Sequence, residues 1–328
     1  MEERALGRTG RSVAVIGLGT WQLGGEWGSV SEREAFEVLD AAVDAGITFI
    51  DTADVYGDGR SERFCGQALR RYPAARLMVA TKMGLRAAEQ RPESYNLANF
   101  LAWTDRSRRN LGVDPIDLVQ LHVPPTAVYS TDAVFEALDE LVASGRIRAY
   151  GVSVETCAQA LAAIGRPGVA TVQLILNCFR LKPLEEVLPA ARRAGVGIIA
   201  RVPLASGLLS GKYDKHTVFA SDDHRTFNRH GEEFDVGETF AGVPFEVGLE
   251  AVRELAALVP PAVATAQFAL RWIIDEPGVS VVIPGARSAE QVRVNAASAG
   301  IPALSEEQLA GVRDVYDRRI RPHVHDRW

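Results

Sequence analysis

The chain has 328 residues, of which 47% are hydrophobic and 24% charged, a composition ordinary for a globular protein that forms one large barrel or two modest domains. The formal net charge of −6 argues against a nucleic-acid-binding surface. No apolar run approaches the roughly 18 residues of a membrane span, and the charged N-terminus, MEERALGRTG, lacks the apolar core of a signal peptide. We therefore expect a cytoplasmic protein that binds neither nucleic acid nor membrane, and the sequence leaves its oligomeric state open.

The cysteines give no sign of a disulfide framework or of a metal site. Cys65, Cys157 and Cys178 lack paired spacing and form no CxxC motif. We interpret them as buried apolar thiols and expect no bound metal.

Short strands and amphipathic helices alternate along most of the chain. Residues 2–15 predict a β-hairpin, and eight further strands follow, most of them separated by helices. The predicted strands are 16–20, 47–50, 77–81, 117–121, 149–154, 172–176, 196–200 and 279–283. The predicted helices include 31–45, 61–70 with Ser61 as cap, 131–144, 156–164, 183–194, one that contains Leu97 and Leu111, and two before the last strand. This alternation predicts a (β/α)8 TIM barrel with an N-terminal hairpin, formed by residues 1–328 as one domain.

A doubly wound open sheet is the competing architecture. Such a sheet usually carries GxGxxG after its first strand. Gly17 and Gly19 begin that pattern, but Gln22 occupies the third glycine position. We therefore interpret these glycines as a tight turn after a strand and favour the barrel.

A long irregular segment, 205–245, follows the seventh predicted barrel strand. Long loops inside compact domains are commonly functional lids or plain insertions. The segment contains Phe219, Phe227, Phe234 and Phe240, which give it apolar side chains to pack with. We expect a lid over a substrate or cofactor, with a plain insertion as the alternative.

Titratable side chains follow three neighbouring predicted strands. Asp51 ends the strand 47–50, Lys82 follows 77–81, and His122 follows 117–121, while Tyr56 lies in the glycine-containing loop after Asp51. Each has an ordinary structural explanation: a lysine leaving the core, an aspartate capping a turn, a buried structural histidine. Their joint occurrence at strand ends, which form the active face of a (β/α)8 barrel, favours a catalytic set.

The chemistry of such a set is acid catalysis. A lysine ammonium lowers the pKa of a neighbouring tyrosine, and an aspartate keeps that lysine charged and in position. A nearby histidine donates a hydrogen bond to a substrate oxygen. The group can protonate or polarise a carbonyl oxygen, and a hydride from a nicotinamide is the natural partner of that step.

The two last predicted strands offer a place for the phosphates of such a cofactor. The loop 201–211 is rich in small residues whose N–H groups can approach a pyrophosphate, and 283–288 leads into a helix N-terminus. Arg287 and Ser288 are candidates for a 2′-phosphate, which favours NADP (NADPH) over NAD. The alternative for Arg287 is a solvated surface cation.

The sequence resembles the aldo-keto reductases, in particular the bacterial general reductases, over nearly its whole length. The motifs that carry the resemblance are GLGTW at 17–21, DTADVYGDGRSE at 51–62, TKMG at 81–84, DLVQLH at 117–122, GVS at 151–153, VPLASGLLSGK at 202–212 and IPGARSAEQV at 283–292. The resemblance implies that Asp51, Tyr56, Lys82 and His122 form the catalytic tetrad, with Tyr56 as proton donor. It also implies that Ser153 and Gln173 hold the nicotinamide carboxamide.

Together with the two phosphate loops, the resemblance implies cofactor contacts that extend from the first barrel strand to the helix after the last one. They are Gly19, Thr20, Trp21, Asp51, Ser153, Gln173, Arg201, Val202, Pro203, Leu204, Ala205, Ser206, Gly207, Leu208, Ser210, Lys212, Ile283, Gly285, Ala286, Arg287, Ser288, Gln291 and Asn295. The candidate substrate contacts are Trp21, Trp27, Tyr56, Met83 and His122.

The sequence departs from the pattern of many relatives at two positions. Val154 stands where many have an asparagine after the GVS serine, so one carboxamide contact must be made otherwise. Arg201 stands where many have an aromatic residue that stacks on the nicotinamide. A planar guanidinium also stacks on π-systems, and we predict that role for Arg201.

The sequence thus predicts reversible NADPH-dependent reduction of an aldehyde or ketone. The substrate is a small-molecule carbonyl compound, the hydride comes from nicotinamide C4, and Tyr56 acts as general acid. One alternative is a Schiff-base aldolase that uses Lys82 as nucleophile. Another is a non-catalytic NADP-binding sensor, as the potassium-channel β subunits of the superfamily imply. That alternative calls for an additional partner-binding segment, whereas this sequence starts directly at the predicted hairpin.

Overall fold

A computed structural model describes residues 1–25 and 30–328 of the chain. The fold begins with the predicted hairpin, in which β1 (Glu3–Ala5) pairs antiparallel with β2 (Ser12–Ala14). Gly10, with φ of 70°, helps the chain to reverse between them.

Parallel strands then form a barrel. Within the described residues the sheet contains eight strands, and each pairs in parallel with the next along the chain. They are β3 (Leu18–Gly19), β4 (Phe49–Asp51), β5 (Met78–Met83), β6 (Ile116–His122), β7 (Ile147–Ser153), β8 (Val169–Ile175), β9 (Gly197–Arg201) and β10 (Val279–Val282). Parallel bridges from Ile16 to Val282 and from Gly19 to Gly285 join the first strand to the last. The predicted (β/α)8 barrel is confirmed.

Helices connect the strands. They are α1 (Trp21–Gly24), α2 (Glu32–Asp44), α3 (Arg60–Arg71), α4 (Leu97–Leu111), α5 (Asp132–Ala143), α6 (Cys157–Ile164), α7 (Val187–Ala194), α8 (His224–Phe227), α9 (Phe245–Ala256), α10 (Thr265–Asp275), α11 (Ala289–Ala297), α12 (Glu306–Val315) and α13 (Arg321–Val324). Local sequence signals start several of them. Ser31 and Glu34 form a capping box at α2, and Thr156 with Gln159 does the same at α6.

The prediction was wrong about some boundaries. Gly59, in the left-handed region, precedes α3, so Ser61 lies inside the helix and not at its cap. The Ser61 hydroxyl is instead buried, donating to Thr20 Oγ1 at 2.8 Å and accepting from Thr52 Oγ1 at 2.9 Å. Helix α7 starts four residues later than predicted because a separate 3-10 turn, Lys182–Leu184, occupies the beginning of that range.

The hairpin packs against the barrel interior. Leu6 and Val13, both fully buried, share one hydrophobic cluster with side chains from most of the barrel strands. That cluster comprises Leu6, Val13, Phe49, Met78, Ala80, Leu118, Ala149, Ala170, Ile199, Val281 and Ile283. The hairpin lies by the beginnings of β8 and β9, since a Cβ on Gly7 would sit 2.1 Å from the Ala170 oxygen and 2.2 Å from the Gly197 nitrogen. The strand C-termini, at the opposite end, are therefore left open for a site.

Across residues 1–25 and 30–328, every helix is too short or too polar to cross a bilayer.

Candidate active site

The barrel brings the titratable residues of the strand ends together at one mouth. β4 ends at Asp51, β6 ends at His122, and Lys82 is the penultimate residue of β5. These ends border a cavity of about 950 Å³, a volume typical of a site for a cofactor-sized ligand.

A buried ion pair lies at the base of this mouth. Lys82 and Asp51 are 1% and 2% exposed, and the Lys82 ammonium donates to Asp51 Oδ1 and, at 2.9 Å, to the Thr52 carbonyl oxygen. Burial acts to lower the pKa of Lys82, but Asp51 and Tyr56 together raise it above its ordinary value. The lysine is therefore a fixed cation.

The Tyr56 hydroxyl lies next to this cation. Lys82 Nζ donates to the Tyr56 hydroxyl oxygen at 3.3 Å. Burial raises the pKa of Tyr56, and Asp51 adds to that effect, whereas Lys82 opposes it. The phenol is thus protonated at neutral pH, while the Lys82 cation favours its phenolate form.

His122 faces Tyr56 at the mouth. The two rings are nearly perpendicular, with centroids 5.9 Å apart. Burial lowers the pKa of His122 well below its ordinary value, and the cations Lys82 and Arg201 add to that effect. The imidazole is therefore neutral, and its Nδ1 has no hydrogen-bond partner among the described residues.

Two buried glutamines complete the environment of Asp51. Gln120 and Gln173 donate to Asp51 Oδ2 at 3.0 and 2.8 Å, and Gln173 also donates to Gln120 Oε1 at 3.1 Å. Gln173 was predicted through the family resemblance, whereas Gln120 was not predicted, because a single polar residue inside an apolar strand carries no positional signal of its own. Ser153 ends β7 beside His122 in the sheet register and lines the cavity.

Arg201 ends β9 and is held between two carboxylates. Its side chain is 8% exposed, lies 3.1 Å from Glu155 Oε1, pairs with Glu238 and donates to the Val154 oxygen at 3.0 Å. Burial opposes the charge of Arg201, but Glu238 and Glu155 raise its pKa above the ordinary value. Burial also raises the pKa of Glu155, to about 7, against the pull of Arg201. The guanidinium plane is thus fixed at the cavity wall.

The loop after β9 turns its backbone toward the cavity. Ala205, Ser206 and Gly207 have φ values of 47°, 53° and 94°, a run of left-handed residues. The N–H groups of Ala205 and Gly207 donate to the Val202 and Leu204 carbonyl oxygens at 3.0 and 2.9 Å, which holds the turn in this conformation. Ser206 and Gly207 line the cavity, and Ser206 Oγ binds the segment 235–242 by donating to the Glu238 carbonyl oxygen at 2.9 Å.

The N-terminus of α11 forms the other end of the cavity. Ser288 caps this helix by accepting from the Gln291 N–H at 3.3 Å, and Gln291 Oε1 accepts from the Arg287 N–H at 2.7 Å. Arg287 and Ser288 are exposed and line the cavity. The Gln22 side-chain amide packs against Gly285, since a Cβ there would lie 2.2 Å from it.

Most of the predicted site residues line this one cavity. The exceptions are Ala205 and Leu208, which are buried beside it, Lys82, which reaches it through Tyr56, and Met83, which is 1% exposed in the main hydrophobic cluster. Met83 was predicted to contact substrate, but its side chain packs in the core. Trp27 lies outside the described residues.

Several lining residues were not among the individually predicted site residues. They are Gln22, Val55, Leu85, Val123, Glu155, Tyr213, Arg225, Phe234, Asp235, Glu238, Ala264, Ala266, Pro284, Glu290 and Val294. The segment 205–245 contributes several of them, and its Phe234 ring lies 5.8 Å from the ring of Trp21 across the mouth. The predicted lid position of this segment agrees with these contacts.

Known proteins resemble this chain over nearly its whole length. The chain is 33% identical over 313 residues to the aldo-keto reductase YhdN of Bacillus subtilis, covering 94% of this chain and 92% of that protein. It is 27% identical over 334 residues to an Arabidopsis thaliana protein described as "Probable voltage-gated potassium channel subunit beta", covering 96% of each.

Solved structures share the fold. A glycerol dehydrogenase from Gluconobacter oxydans matches with a TM-score of 0.79 and 30% identity, over 98% of this chain and 96% of that one. An aldo/keto reductase from Klebsiella pneumoniae, solved in complex with NADP and acetate, matches with a TM-score of 0.70 and 25% identity, over 96% of each chain.

A family model agrees with both sets of matches. The model of the Aldo/keto reductase family matches residues 15–317, which include every strand of the barrel and the whole mouth described above. This chain belongs to the aldo/keto reductase family.

Proposed function

We propose that this protein reduces the carbonyl group of an aldehyde or ketone to an alcohol with NADPH, and catalyses the reverse oxidation, with Tyr56 as general acid. The observation that carries the proposal is the Tyr56 hydroxyl, held 3.3 Å from the buried Lys82 ammonium at the mouth of the large cavity. A protonated phenol beside a fixed cation is suited to protonate a carbonyl oxygen as negative charge develops on it.

Each side chain at the mouth has a separate role in the reduction of the carbonyl group. Tyr56 gives its proton to the carbonyl oxygen, and Lys82 stabilises the resulting phenolate through charge and hydrogen bonding. His122, neutral because of burial, keeps an N–H with which it donates a hydrogen bond to the same oxygen. Asp51 keeps Lys82 charged and in place, with its second oxygen occupied by the two glutamines.

The cavity fits a dinucleotide. The loop after β9 places Ser206, Gly207 and Ser210 on the cavity wall, where a pyrophosphate would lie, and the N-terminus of α11 with Arg287 offers an anion site for a 2′-phosphate. Ser153 and Gln173 line the part of the cavity beside the tetrad, where the nicotinamide carboxamide would be held. The nicotinamide, when bound, supplies the hydride for the carbonyl carbon. The NADP complex of the Klebsiella pneumoniae relative supports this assignment.

Arg201 replaces the aromatic residue of many relatives in our proposal. Its guanidinium is fixed by Glu155, Glu238 and the Val154 carbonyl, and it lines the cavity beside the tetrad. A planar group fixed in this way loses little conformational freedom when a π-system stacks on it.

The aldolase alternative has little support. A Schiff-base lysine needs a free, unprotonated amine. Lys82 is 1% exposed, its ammonium binds Asp51, Thr52 and Tyr56, and its pKa is raised. Its nitrogen has neither the access nor the lone pair for attack on a carbonyl carbon.

The potassium-channel relative supports a second candidate, a nucleotide-binding regulatory subunit. Such a protein would bind NADPH without turning over carbonyl substrates at a useful rate. The complete tetrad geometry favours catalysis, and turnover separates the two candidates.

A nucleotide titration followed by a substrate panel tests the proposal. Quenching of tryptophan fluorescence by NADPH and NADH measures affinity, and NADPH oxidation with a panel of neutral aldehydes and ketones measures turnover. We expect NADPH to bind more tightly than NADH, with turnover of at least one aldehyde. Binding without turnover across the panel would favour the regulatory candidate, and no binding of either nucleotide would overturn the proposal.

A further inference from the structure

The tyrosine loop, residues 52–59, has to hold Tyr56 over Lys82 without regular secondary structure. Its second half contains Gly57, Asp58 and Gly59 with φ values of 57°, 52° and 80°. Three successive left-handed residues, one of them not glycine, persist only where surrounding contacts determine the conformation.

Helix α1 supports one side of the tyrosine loop. A Cβ on Gly24 would lie 2.6 Å from the Tyr56 carbonyl carbon, and a Cβ on Gly57 would lie 2.3 Å from the Gly24 oxygen. The two backbones are thus in direct contact, so the loop cannot move toward α1.

Two arginines support the other side. Arg86, in the loop after β5, donates from Nη2 to the Asp54 carbonyl oxygen at 3.0 Å. Arg106, on α4, donates from Nη1 to the same oxygen at 3.1 Å. One main-chain oxygen, two residues before Tyr56, therefore accepts hydrogen bonds from two separate elements of the fold.

The same arginines also bind the loop on the far side of Tyr56. Arg106 Nη2 donates to the Asp58 carbonyl oxygen at 3.1 Å and to Asp58 Oδ1 at 2.7 Å, and Arg86 Nη2 donates to that carboxylate too. Arg86 Nε lies 3.5 Å from the buried Asp54 carboxylate. Both guanidinium groups thus bind the loop two residues before Tyr56, at Asp54, and two residues after it, at Asp58.

Neither arginine belongs to the cavity. The described residues that line it include Leu85 but not Arg86 or Arg106, whose side chains are 29% and 27% exposed on the outer side of the loop. A guanidinium presents five N–H donors in a rigid planar fork, so each of these arginines can bind several oxygens of the loop at once.

We propose that Arg86 and Arg106 are positioning residues for Tyr56, acting through the tyrosine loop. Their hydrogen bonds hold the loop in contact with α1 and so fix the distance between the Tyr56 hydroxyl and Lys82 Nζ. This inference rests on the proposed function of Tyr56 as general acid. A loop released on this side would leave Tyr56 in place only part of the time, and proton transfer would slow without loss of nucleotide binding.

The test compares substitutions at Arg106 with a matched control on the same helix. Arg108 lies on α4 two residues further on, is 23% exposed and binds Asp105 and Asp114, with no hydrogen bond or ion pair to the tyrosine loop among the described contacts. Arg106→Ala should lower kcat about 10- to 100-fold while the NADPH dissociation constant changes by less than about twofold. Arg108→Ala should leave both within about twofold.

Two further readouts separate positioning from a general loss of structure. With NADPH deuterated at the transferred position, the isotope effect on kcat should rise in Arg106→Ala because the chemical step becomes slower relative to product release. Arg106→Lys should recover part of the rate, since one ammonium replaces only some of the donors. Arg86→Ala, a change in a different element, should reproduce the loss if Arg106→Ala does not fold.

Hydrogen–deuterium exchange tests the inference independently of turnover. Residues 52–59 should exchange faster in Arg106→Ala than in wild type, while Arg108→Ala exchanges there like wild type. Unchanged exchange and unchanged kcat in both Arg106→Ala and Arg86→Ala would overturn the inference. If the wild type reduced no carbonyl, the proposed function would fail, and faster loop exchange would still identify the two arginines as the support of this loop.

Discussion

Burial and neighbouring cations set the ionisation state of His122. Because its pKa lies well below the ordinary value, His122 becomes protonated only as the pH falls through that lowered value. It therefore stays neutral through the range in which an exposed imidazole titrates, near about pH 6.5.

We predict that His122 causes no transition near about pH 6.5 in the pH profile of kcat/KM for carbonyl reduction, so that any change there due to a carboxyl group such as Glu155, whose pKa is about 7, is shared by wild type and a His122 variant. Measurement of initial rates between about pH 5 and 9 checks this. His122→Asn, which keeps a hydrogen-bond donor, should lower the rate without changing the shape of the profile in that range. An acid-side loss near the ordinary imidazole value in wild type that disappears in His122→Asn would contradict the neutral state.

Arg201 joins the segment 205–245 to the cavity wall through its ion pair with Glu238. A substitution that keeps the positive charge separates the effect of the planar guanidinium on NADPH binding from the effect of the charge. Arg201→Lys keeps a cation for Glu155 and Glu238 but loses the planar surface, so it should weaken NADPH binding about 5- to 30-fold, the factor expected for about 1–2 kcal/mol of cation–π contact. Arg201→Ala should weaken it at least as much. Tryptophan fluorescence titration measures both, and unchanged affinity in both variants would rule out the stacking role.

At the scale of single residues, the positions that follow strand ends could be identified from their place in the sequence, whereas Gln173, inside a strand, was named only through the family resemblance. Asp51, Lys82 and His122 were identifiable because a titratable residue after an apolar run is unusual. Gln120 and Glu238 were not, since Gln120 is inside a strand and Glu238 reaches Arg201 only because a distant segment folds back over the barrel.

Among the elements, the N-terminal hairpin gives the sharpest test of packing. Gly7 and Gly10 both have positive φ, 52° and 70°, but a Cβ on Gly7 would overlap the backbone of β8 and β9, whereas a Cβ on Gly10 meets nothing within 4 Å. The two glycines therefore separate steric fit from backbone strain.

We predict that Gly7→Ala destabilises the protein by more than about 2–3 kcal/mol, because strain and overpacking act together. Gly10→Ala should cost about 1 kcal/mol, from the left-handed conformation alone. Urea unfolding measures both. Equal losses in the two variants would mean that the hairpin does not fit closely against the strand N-termini.

Element boundaries were predictable where the signal is local. The capping box of α2 and the glycine after α5 were readable in the sequence. The start of α3 was not, because Gly59 takes a left-handed conformation that puts Ser61 one residue inside the helix, where it bonds to Thr20 and Thr52 of other segments.

At the scale of the whole molecule, burial raises the pKa of two carboxyl groups, those of Asp54 and Glu155, further than that of any other carboxyl group among the described residues. Burial and then Glu62 raise the pKa of Asp54 to about 7, against Arg86 and Arg106, and burial raises that of Glu155 to about 7. A carboxyl group raised in the folded state contributes stability that is fully present below its unfolded pKa and is lost as the pH rises through the folded value.

We therefore predict that Asp54→Asn makes the protein more stable than wild type above about pH 7, by up to roughly 4 kcal/mol, and changes it little near pH 4. Urea unfolding at these two pH values checks the sign. Asp222→Asn, an exposed position, serves as the control. A loss of stability at the higher pH in Asp54→Asn would contradict the burial argument.

The overall architecture was the most predictable level, because a regular alternation of strands and helices leaves few topologies open. The particular bridges that close the barrel, from Ile16 to Val282 and from Gly19 to Gly285, could not be predicted from the sequence, since they join residues more than two hundred positions apart. The approach of the segment 205–245 to Trp21 depends on the same long-range geometry.

The most direct test of the account is the substitution Tyr56→Phe, which removes one oxygen atom and keeps the ring beside Trp21 and His122. NADPH binding by fluorescence titration and carbonyl reduction by NADPH oxidation are measured on the same preparation. We expect NADPH binding within about twofold of wild type and a loss of kcat of at least about 100-fold, the contribution of a positioned general acid. Reduction at an undiminished rate in Tyr56→Phe would contradict it.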